Sequence, residues 1–308
     1  MTVGEAKKYG RQILKTKSPT PELDTDCIIG DILGWDKTKL LFCTDQNLEK
    51  NQEEDFIQKI QKRSTGFPVA YINGHKEFYG RDFLVTPDVL IPKPDTEILV
   101  ENALKIISEK YRQLKRPLTV CDMCTGSGCV GLSILKSCYE EKITLEQHLP
   151  ILTLADISDR ALDVAKKNYN HLGIKSLPVT VHFIRSNLFE NVPGKFDLIV
   201  SNPPYIPFAD VKELLKDGRA EPVLALNGDI NSDGTPSDEN DGLMIIKNLI
   251  PQAHKRLNER GVLILETGEY NADETENLMC LSGFFDTQIF LDLEGQKRNV
   301  LGRLPNPV

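Results

Sequence analysis

Along the first fifth of the chain apolar residues recur at helical spacing. Val3, Ala6, Ile13 and Leu14 form one set, Cys27, Ile28, Ile32 and Leu33 a second, and Phe56, Ile57 and Ile60 a third. This predicts three or four helices between Met1 and about Gly66, punctuated by Pro19, Pro21 and Gly34. The period then changes. Ala70–Ile72, Glu77–Tyr79 and Asp82–Val85 alternate around Gly74 and Gly80, which predicts a β-hairpin linker over 67–93. Ile91-Pro-Lys-Pro-Asp-Thr-Glu97 opens a helix with Asp95 or Thr96 available as N-cap. From about 118 onward, near-continuous apolar runs alternate with helical stretches at about 129–140, 159–171 and 241–257. The runs LTVCDM, ILTLAD, VTVHFI, FDLIVS and GVLILE read as strands covered on both faces. A further helix and two strand-like runs, FFDTQIFLDL and NVLGRL, follow. The expected architecture is a helical domain over 1–66, the linker over 67–93 and a doubly wound, mostly parallel α/β domain over 94–308.

Composition narrows the function classes. The chain has 308 residues, 40% of them hydrophobic and 27% charged, as in a globular protein with a real core. No uncharged apolar run approaches the roughly 18 residues needed to cross a bilayer. The amino terminus lacks the apolar stretch of a secretory signal, so a cytoplasmic location is expected. Lys and Arg total 37 against 45 Asp and Glu, a net charge of -8. A protein gripping duplex nucleic acid usually presents a basic surface, so a protein or small-molecule substrate is favoured. The seven cysteines do not suggest a disulfide scaffold. Cys121-Asp-Met-Cys124 spells a C-x-x-C pair, but no second pair or spaced histidines accompany it, so reduced cysteines packed at a strand end are expected and no metal. The segment 229–241 carries five acids and no base and is expected to be a mobile loop.

Three segments carry chemistry. The first α/β strand runs through Asp122-Met-Cys-Thr-Gly126-Ser-Gly128 directly into a helix, and Gly126, Gly128 and Gly131 match G-x-G-x-x-G. Such a turn lets backbone N–H groups approach a ligand, which in a dinucleotide enzyme is a pyrophosphate. Asp156 ends the second strand, where a carboxylate suits the hydroxyls of a ribose; the competing assignment is the N-cap of the next helix, a role Ser158 serves as well. The strongest signal is Asn202-Pro203-Pro204-Tyr205, directly after FDLIVS. Two prolines make a stiff corner of carbonyl acceptors without competing donors. The Asn202 side-chain oxygen and a neighbouring carbonyl then accept both hydrogens of one planar –NH2, while Tyr205 offers a face for stacking. Holding both hydrogens aims the nitrogen lone pair at an electrophile without prior ionisation.

With these segments together the chain resembles the HemK/PrmC family of glutamine-N5 methyltransferases. The matching pieces are Ile91–Glu97, Asp122–Gly128, Ala155–Ser158, Asn202–Ile206, Arg219-Ala-Glu-Pro222, Ala225-Leu226, Asp241–Leu243, Glu266-Thr-Gly268 and Gly295–Arg298. The resemblance implies a class I methyltransferase fold and methyl transfer from S-adenosyl-L-methionine to the glutamine of the Gly-Gly-Gln motif in class 1 peptide chain release factors. Membrane and duplex nucleic acid are not implied as partners. It implies that Asp122, Cys124, Thr125, Gly126, Ser127 and Gly128 wrap the methionine end of the cofactor. Asp156 would bind the ribose, and Asn187 and Leu188 would lie beside the adenine. Asn202 would touch both cofactor and substrate, with Pro203, Pro204 and Tyr205 completing the glutamine pocket. The sequence departs from the family pattern at three places. Cys124 replaces a glycine, which requires a turn without positive φ; Asn187 replaces a frequent Asp; Lys93 replaces Arg and gives up bidentate geometry. Alternatives in the same chemistry are a ribosomal-protein glutamine methyltransferase and an adenine-N6 DNA methyltransferase. From other classes, a dinucleotide-dependent oxidoreductase or a binding-only relative would keep the fold.

Overall fold

The computed structural model describes residues 1–217, 220–231 and 235–305. These residues divide into two compact units, 1–75 with 212–220, and 76–211 with 221–308.

In the first unit the helices are α1 (Val3–Leu14), α2 (Pro21–Leu33), α3 (Lys37–Phe42), α4 (Lys50–Ser64) and α5 (Val69–Asn73). Their starts are written locally. Thr2 and Glu5 form a capping box on α1, the Asp36 side chain caps α3, and Pro21 opens α2. Gly34, at φ +61°, closes α2 in the left-handed region. The apolar stripes meet in one core that includes Val3, Ala6, Leu14, Ile28, Ile29, Phe56 and Ile60. Ala70–Ile72, expected in a strand, lie in α5 instead. Pro68 starts that helix, and Gly74 at φ +83° ends it after five residues, too short for its period to show in sequence.

In the second unit β1 (His75–Phe78) and β2 (Arg81–Leu84) form the expected hairpin. Its turn residues Tyr79 and Gly80 both have positive φ, 52° and 68°, as a tight two-residue turn requires. After a single 3-10 turn at Pro94–Thr96 comes α6 (Glu97–Leu114). Neither Asp95 nor Thr96 caps α6: no side chain makes the capping bond. Asp95 instead pairs with Arg298 at 3.3 Å, and Thr96 is buried and engaged elsewhere.

The remaining elements alternate: β3 (Thr119–Met123), α7 (Cys129–Glu140), β4 (Ile151–Asp156), α8 (Asp159–His171), β5 (Val181–Arg185) and β6 (Phe196–Ser201). Then come α9 (Phe208–Leu214), α10 (Val223–Leu226), α11 (Met244–Arg256), β7 (Leu257–Glu266), α12 (Ala272–Leu281), β8 (Phe285–Leu291) and β9 (Lys297–Arg303). Among the described residues the strands form a seven-stranded sheet in the order β5-β4-β3-β6-β7-β9-β8. β5, β4, β3, β6 and β7 run parallel, and β9 joins β7 antiparallel. The chain moves outward from β3 through β4 and β5, then returns to the other side of β3 as β6. That reversal opens a crevice at the carboxyl ends of β3 and β6, the place where doubly wound sheets bind ligands. Two apolar layers cover the sheet, one holding Ile107, Leu132 and Leu154, the other Ile246, Leu249 and Ile250.

Candidate functional site

A cavity of about 530 Å³ opens at the carboxyl ends of the parallel strands, within the 300–1,000 Å³ range of small-molecule sites. In-register pairing places its parts side by side: Met123 is opposite Ala155 on β4 and opposite Ser201 on β6. The Ser201 hydroxyl donates to the Met123 carbonyl at 2.6 Å, so the two loops leaving β3 and β6 start from pinned positions.

The loop after β3 winds tightly around Asp122. Thr125 Oγ1 donates to Asp122 Oδ2 at 2.6 Å and the Gly131 N–H donates to the same oxygen at 2.9 Å. A Cβ on Gly131 would stand 2.5 Å from Leu154 Cδ2, so this third glycine serves close helix packing. Cys124, Gly126 and Gly128 have φ of 60°, 54° and 80°. Cys124 therefore sits where a glycine is favoured, against the expectation of a turn without positive φ. Strain of about 1–2 kcal/mol is held there by the surrounding bonds, among them Thr125 N–H to the Ala155 carbonyl.

Asp156 receives the Gly126 N–H on Oδ2 and the Ser158 N–H on Oδ1, each at 2.9 Å. It does not cap α8; Ser158 does, accepting from the Ala161 N–H at 3.2 Å. Each carboxylate oxygen keeps acceptor capacity toward the cavity. Burial pushes Asp122 up to about 7 and raises Asp156, with backbone N–H bonds opposing it in both. Burial also raises the Cys121 and Cys124 thiols and lifts Cys129 to about 12, so these sulfurs stay protonated. Among the described residues no cluster of His, Cys, Asp or Glu suits a metal ion. Asn187 and Leu188, after β5, also line the cavity; Asn187 donates to Glu190 at 3.1 Å, and Leu188 takes a φ of 45°.

At the corner after β6, Asn202 and Pro204 line the same cavity as Cys124, Thr125, Gly126 and Ser127. Asn202 Nδ2 donates to Thr96 Oγ1 at 3.1 Å, which leaves Oδ1 as the acceptor. Pro203 is buried, and Pro203, Tyr205 and Gly128 are not part of the cavity wall. Tyr205, expected to offer a stacking face, turns its hydroxyl to Glu266 Oε1 at 3.3 Å instead. Its carbonyl accepts from the Tyr270 hydroxyl at 3.1 Å and Asn271 Nδ2 at 3.3 Å. A Cβ on Gly242 would lie 2.1 Å from that carbonyl, so the chain after 241 packs directly on the corner.

Sequence reading placed several residues found here outside the site. Thr96, Pro92 and Lys93 line the cavity, and Lys93 Nζ pairs with the buried Glu221 at 2.7 Å. Arg160 and the apolar Leu224 and Ile230 also line it. Glu266 is 1% exposed, and among the described residues its Oε2 has no hydrogen-bond partner. Burial lifts Glu266 to about 7; the Thr96 and Tyr205 hydroxyls and Arg298 oppose that rise. In the segment expected to be a mobile loop, Asp229 is an anchor, accepting from the Phe208 and Gly242 N–H groups at 2.9 and 2.7 Å. Residues 232–234 of that segment and Arg219 of the 219–222 match lie outside the described residues.

A sheet of this order, with a glycine turn after β3 and an acid ending β4, defines a class I S-adenosyl-L-methionine-dependent methyltransferase. The fold agrees with the catalytic domain of hMettl16 (TM-score 0.52, 13% identity, 85% of this chain and 84% of that one). The PrmC N-terminal domain model matches residues 5–74 and the methyltransferase small domain model matches 97–229. The release factor glutamine methyltransferase of Leptospira interrogans is 35% identical over 96% of this chain and 95% of its own length. That of Burkholderia pseudomallei is 34% identical over 94% of each. The chain belongs to the release factor glutamine methyltransferase family, and its cofactor is S-adenosyl-L-methionine.

The residues present fit that cofactor. Asp156 supplies a partly buried carboxylate for a diol, and Gly126 faces open space, with nothing within 4 Å of a Cβ placed there.

Proposed function

We propose that this protein methylates the side-chain amide nitrogen of the glutamine in the Gly-Gly-Gln motif of class 1 peptide chain release factors, in the cytoplasm. The carrying observation is the Asn202 corner: one amide with its N–H tied down and its oxygen left to accept, on the wall that also holds the Cys124–Ser127 turn. Bound S-adenosyl-L-methionine supplies a methyl group on a sulfonium sulfur. The Asp122–Gly128 loop and Asp156 would hold it, with Asn187 and Leu188 at its far end.

The chain's own work is orientation. Asn202 Oδ1 and a carbonyl of the Pro203–Pro204 corner accept the two hydrogens of the substrate amide, which directs its nitrogen lone pair into the cavity. Those bonds strengthen as the nitrogen gains positive charge, so they favour the transition state over the ground state. Placing two reactants correctly is worth roughly 7–11 kcal/mol. Tyr205 supports the corner from behind through Glu266. The helical region over 1–66 recognises the release factor outside its Gly-Gly-Gln tip.

Mass spectrometry of a release factor incubated with the protein and cofactor tests this reading. The expected result is a gain of one methyl group, confined to the Gly-Gly-Gln glutamine. Methyl on a ribosomal protein or on DNA adenine, with the release factor unmodified, overturns the substrate.

A further inference from the structure

We infer that Asp229 is a positioning residue: its buried carboxylate fixes the downstream end of the Asn202–Tyr205 corner, and with it the angle at which that corner meets the substrate amide. This inference rests on the proposed amide-capturing role of Asn202.

Two prolines make the corner stiff, but a stiff corner pivots unless both of its ends are held. Upstream, Ser201 is tied to the Met123 carbonyl and Asn202 to Thr96. Downstream the chain has left β6, so its main-chain groups lack the sheet's ladder and need other partners. Ile206 donates its N–H to the Leu226 carbonyl and accepts from the Gly228 N–H, both at 3.0 Å. The Phe208 N–H goes to Asp229 Oδ2 at 2.9 Å, and the Gly242 N–H goes to Oδ1 at 2.7 Å.

The carboxylate therefore clamps the corner from two sides. Phe208 lies three residues beyond Tyr205 on the outgoing chain, whereas Gly242 arrives from the far end of the acidic segment and packs on the Tyr205 carbonyl. A Cβ on Gly228 would stand 2.1 Å from the Gly242 carbonyl oxygen, so the three chain segments meet backbone to backbone. An aspartate suits this junction because it offers one accepting oxygen to each N–H, whereas an asparagine would turn its NH2 against one of them. Asp229 is 1% exposed, so water does not substitute for either bond. Its own N–H donates to Asn227 Oδ1 at 2.9 Å, which holds the root of the side chain. Helix capping accounts for the bond to Phe208, at the start of α9, but not for the one to Gly242, two residues ahead of α11.

Kinetics on the full-length protein with a release factor and cofactor, in wild type, Asp229→Asn, Asn227→Ala and Asp197→Asn, test the inference. Asp229→Asn keeps the shape and sets an NH2 against one of the two N–H groups. It should lower kcat roughly tenfold, with the release-factor KM and the calorimetric cofactor affinity within about twofold of wild type. Asp197 is also buried but lies at the other end of β6, bonded to Arg116 and Asn258. Asp197→Asn should lower the melting temperature at least as far while kcat stays within about twofold, which separates positioning from mere loss of stability. If Asp229→Asn does not fold, Asn227→Ala decides the matter: it removes the bond to the Asp229 N–H and should lower kcat about fivefold at unchanged cofactor affinity. An Asp229→Asn enzyme, or in its place Asn227→Ala, with kcat within about twofold of wild type overturns the inference alone. So does an Asp197→Asn enzyme that loses kcat as far as Asp229→Asn, or a loss of cofactor affinity in step with kcat. A wild-type protein that leaves the release factor unmodified overturns the proposed function, and this inference with it.

Discussion

The helical unit and the α/β unit are stabilised differently. In the helical unit, the positive-φ residues among the described ones are glycines, at 34, 66 and 74. Its buried charges are paired: Lys7 with Asp26 at 3.1 Å and Arg63 with Asp24 at 2.6 Å. The α/β unit carries non-glycine residues at positive φ, including Cys124 and Leu188 on the cavity wall, and buries Asp122 and Glu266 where burial raises both. Strained backbone and desolvated acids persist only where surrounding structure imposes them, and they gather at functional sites. One unit is built for cohesion; the other gives up cohesion to hold a site in shape.

The largest test of that contrast lies in the cohesive unit. Phe56 is fully buried in its core beside Tyr9. Phe56→Ala should destabilise the helical unit by about 3–5 kcal/mol, read by chemical denaturation. Cofactor affinity, measured by calorimetry, should not move; a parallel fall in affinity would show that the two units do not divide cohesion from chemistry.

In the α/β unit the converse holds. Asn202→Ala removes a half-buried side chain with one observed bond, so stability should barely change. Turnover should fall by on the order of 10²–10³, as on losing a preorganised polar group, with cofactor binding retained. A variant that keeps most of its turnover would remove Asn202 from the mechanism.

Much of the α/β unit was legible in the sequence because strands covered on both faces must be apolar almost throughout. The runs ILTLAD and FDLIVS coincide with β4 and β6, residue for residue. The Asn202 corner was legible for a similar reason, since prolines after a strand leave few conformations. What escaped was set by distant contacts. Thr96 reads as a helix cap until Asn202 is brought beside it by β6, and Glu266 reads as one more strand-end acid until Tyr205 and Arg298 close over it. Cys124 reads as a residue needing ordinary φ because the bonds that hold its turn come from β4.

The buried acids of the α/β unit give a pH signature of their own. Glu266 ordinarily loses its proton near 4.5 but in the fold holds it to about 7. Between those values the folded chain binds more protons than the unfolded one, so stability falls as pH rises through that window and levels off above 7. Below about 4.5 both states are protonated and the contribution is complete. Its span is roughly 3 kcal/mol, and Asp122, raised from 3.8 to about 7, acts in the same sense. Denaturation midpoints of wild type and Glu266→Gln over this range should diverge with pH, the wild type gaining on the acidic side. A constant offset between the two would mean that Glu266 is not held protonated.

The smallest effect probes the strain itself. Cys124 has a φ of 60° in a turn that also uses Gly126 and Gly128, and a thiol raised by burial offers no chemistry in exchange. Cys124→Gly relieves a left-handed conformation costing about 1–2 kcal/mol, but it also loosens the unfolded chain and removes a buried side chain. The two corrections oppose the relief, so the net gain should be about 1 kcal/mol or less, read as a rise in melting temperature of a few degrees. Cofactor affinity should hold or improve, because the loop keeps the bonds from Thr125 and Gly131 to Asp122. A clear loss of stability would show that the thiol's packing, rather than the strain at this turn, governs the choice of residue at 124.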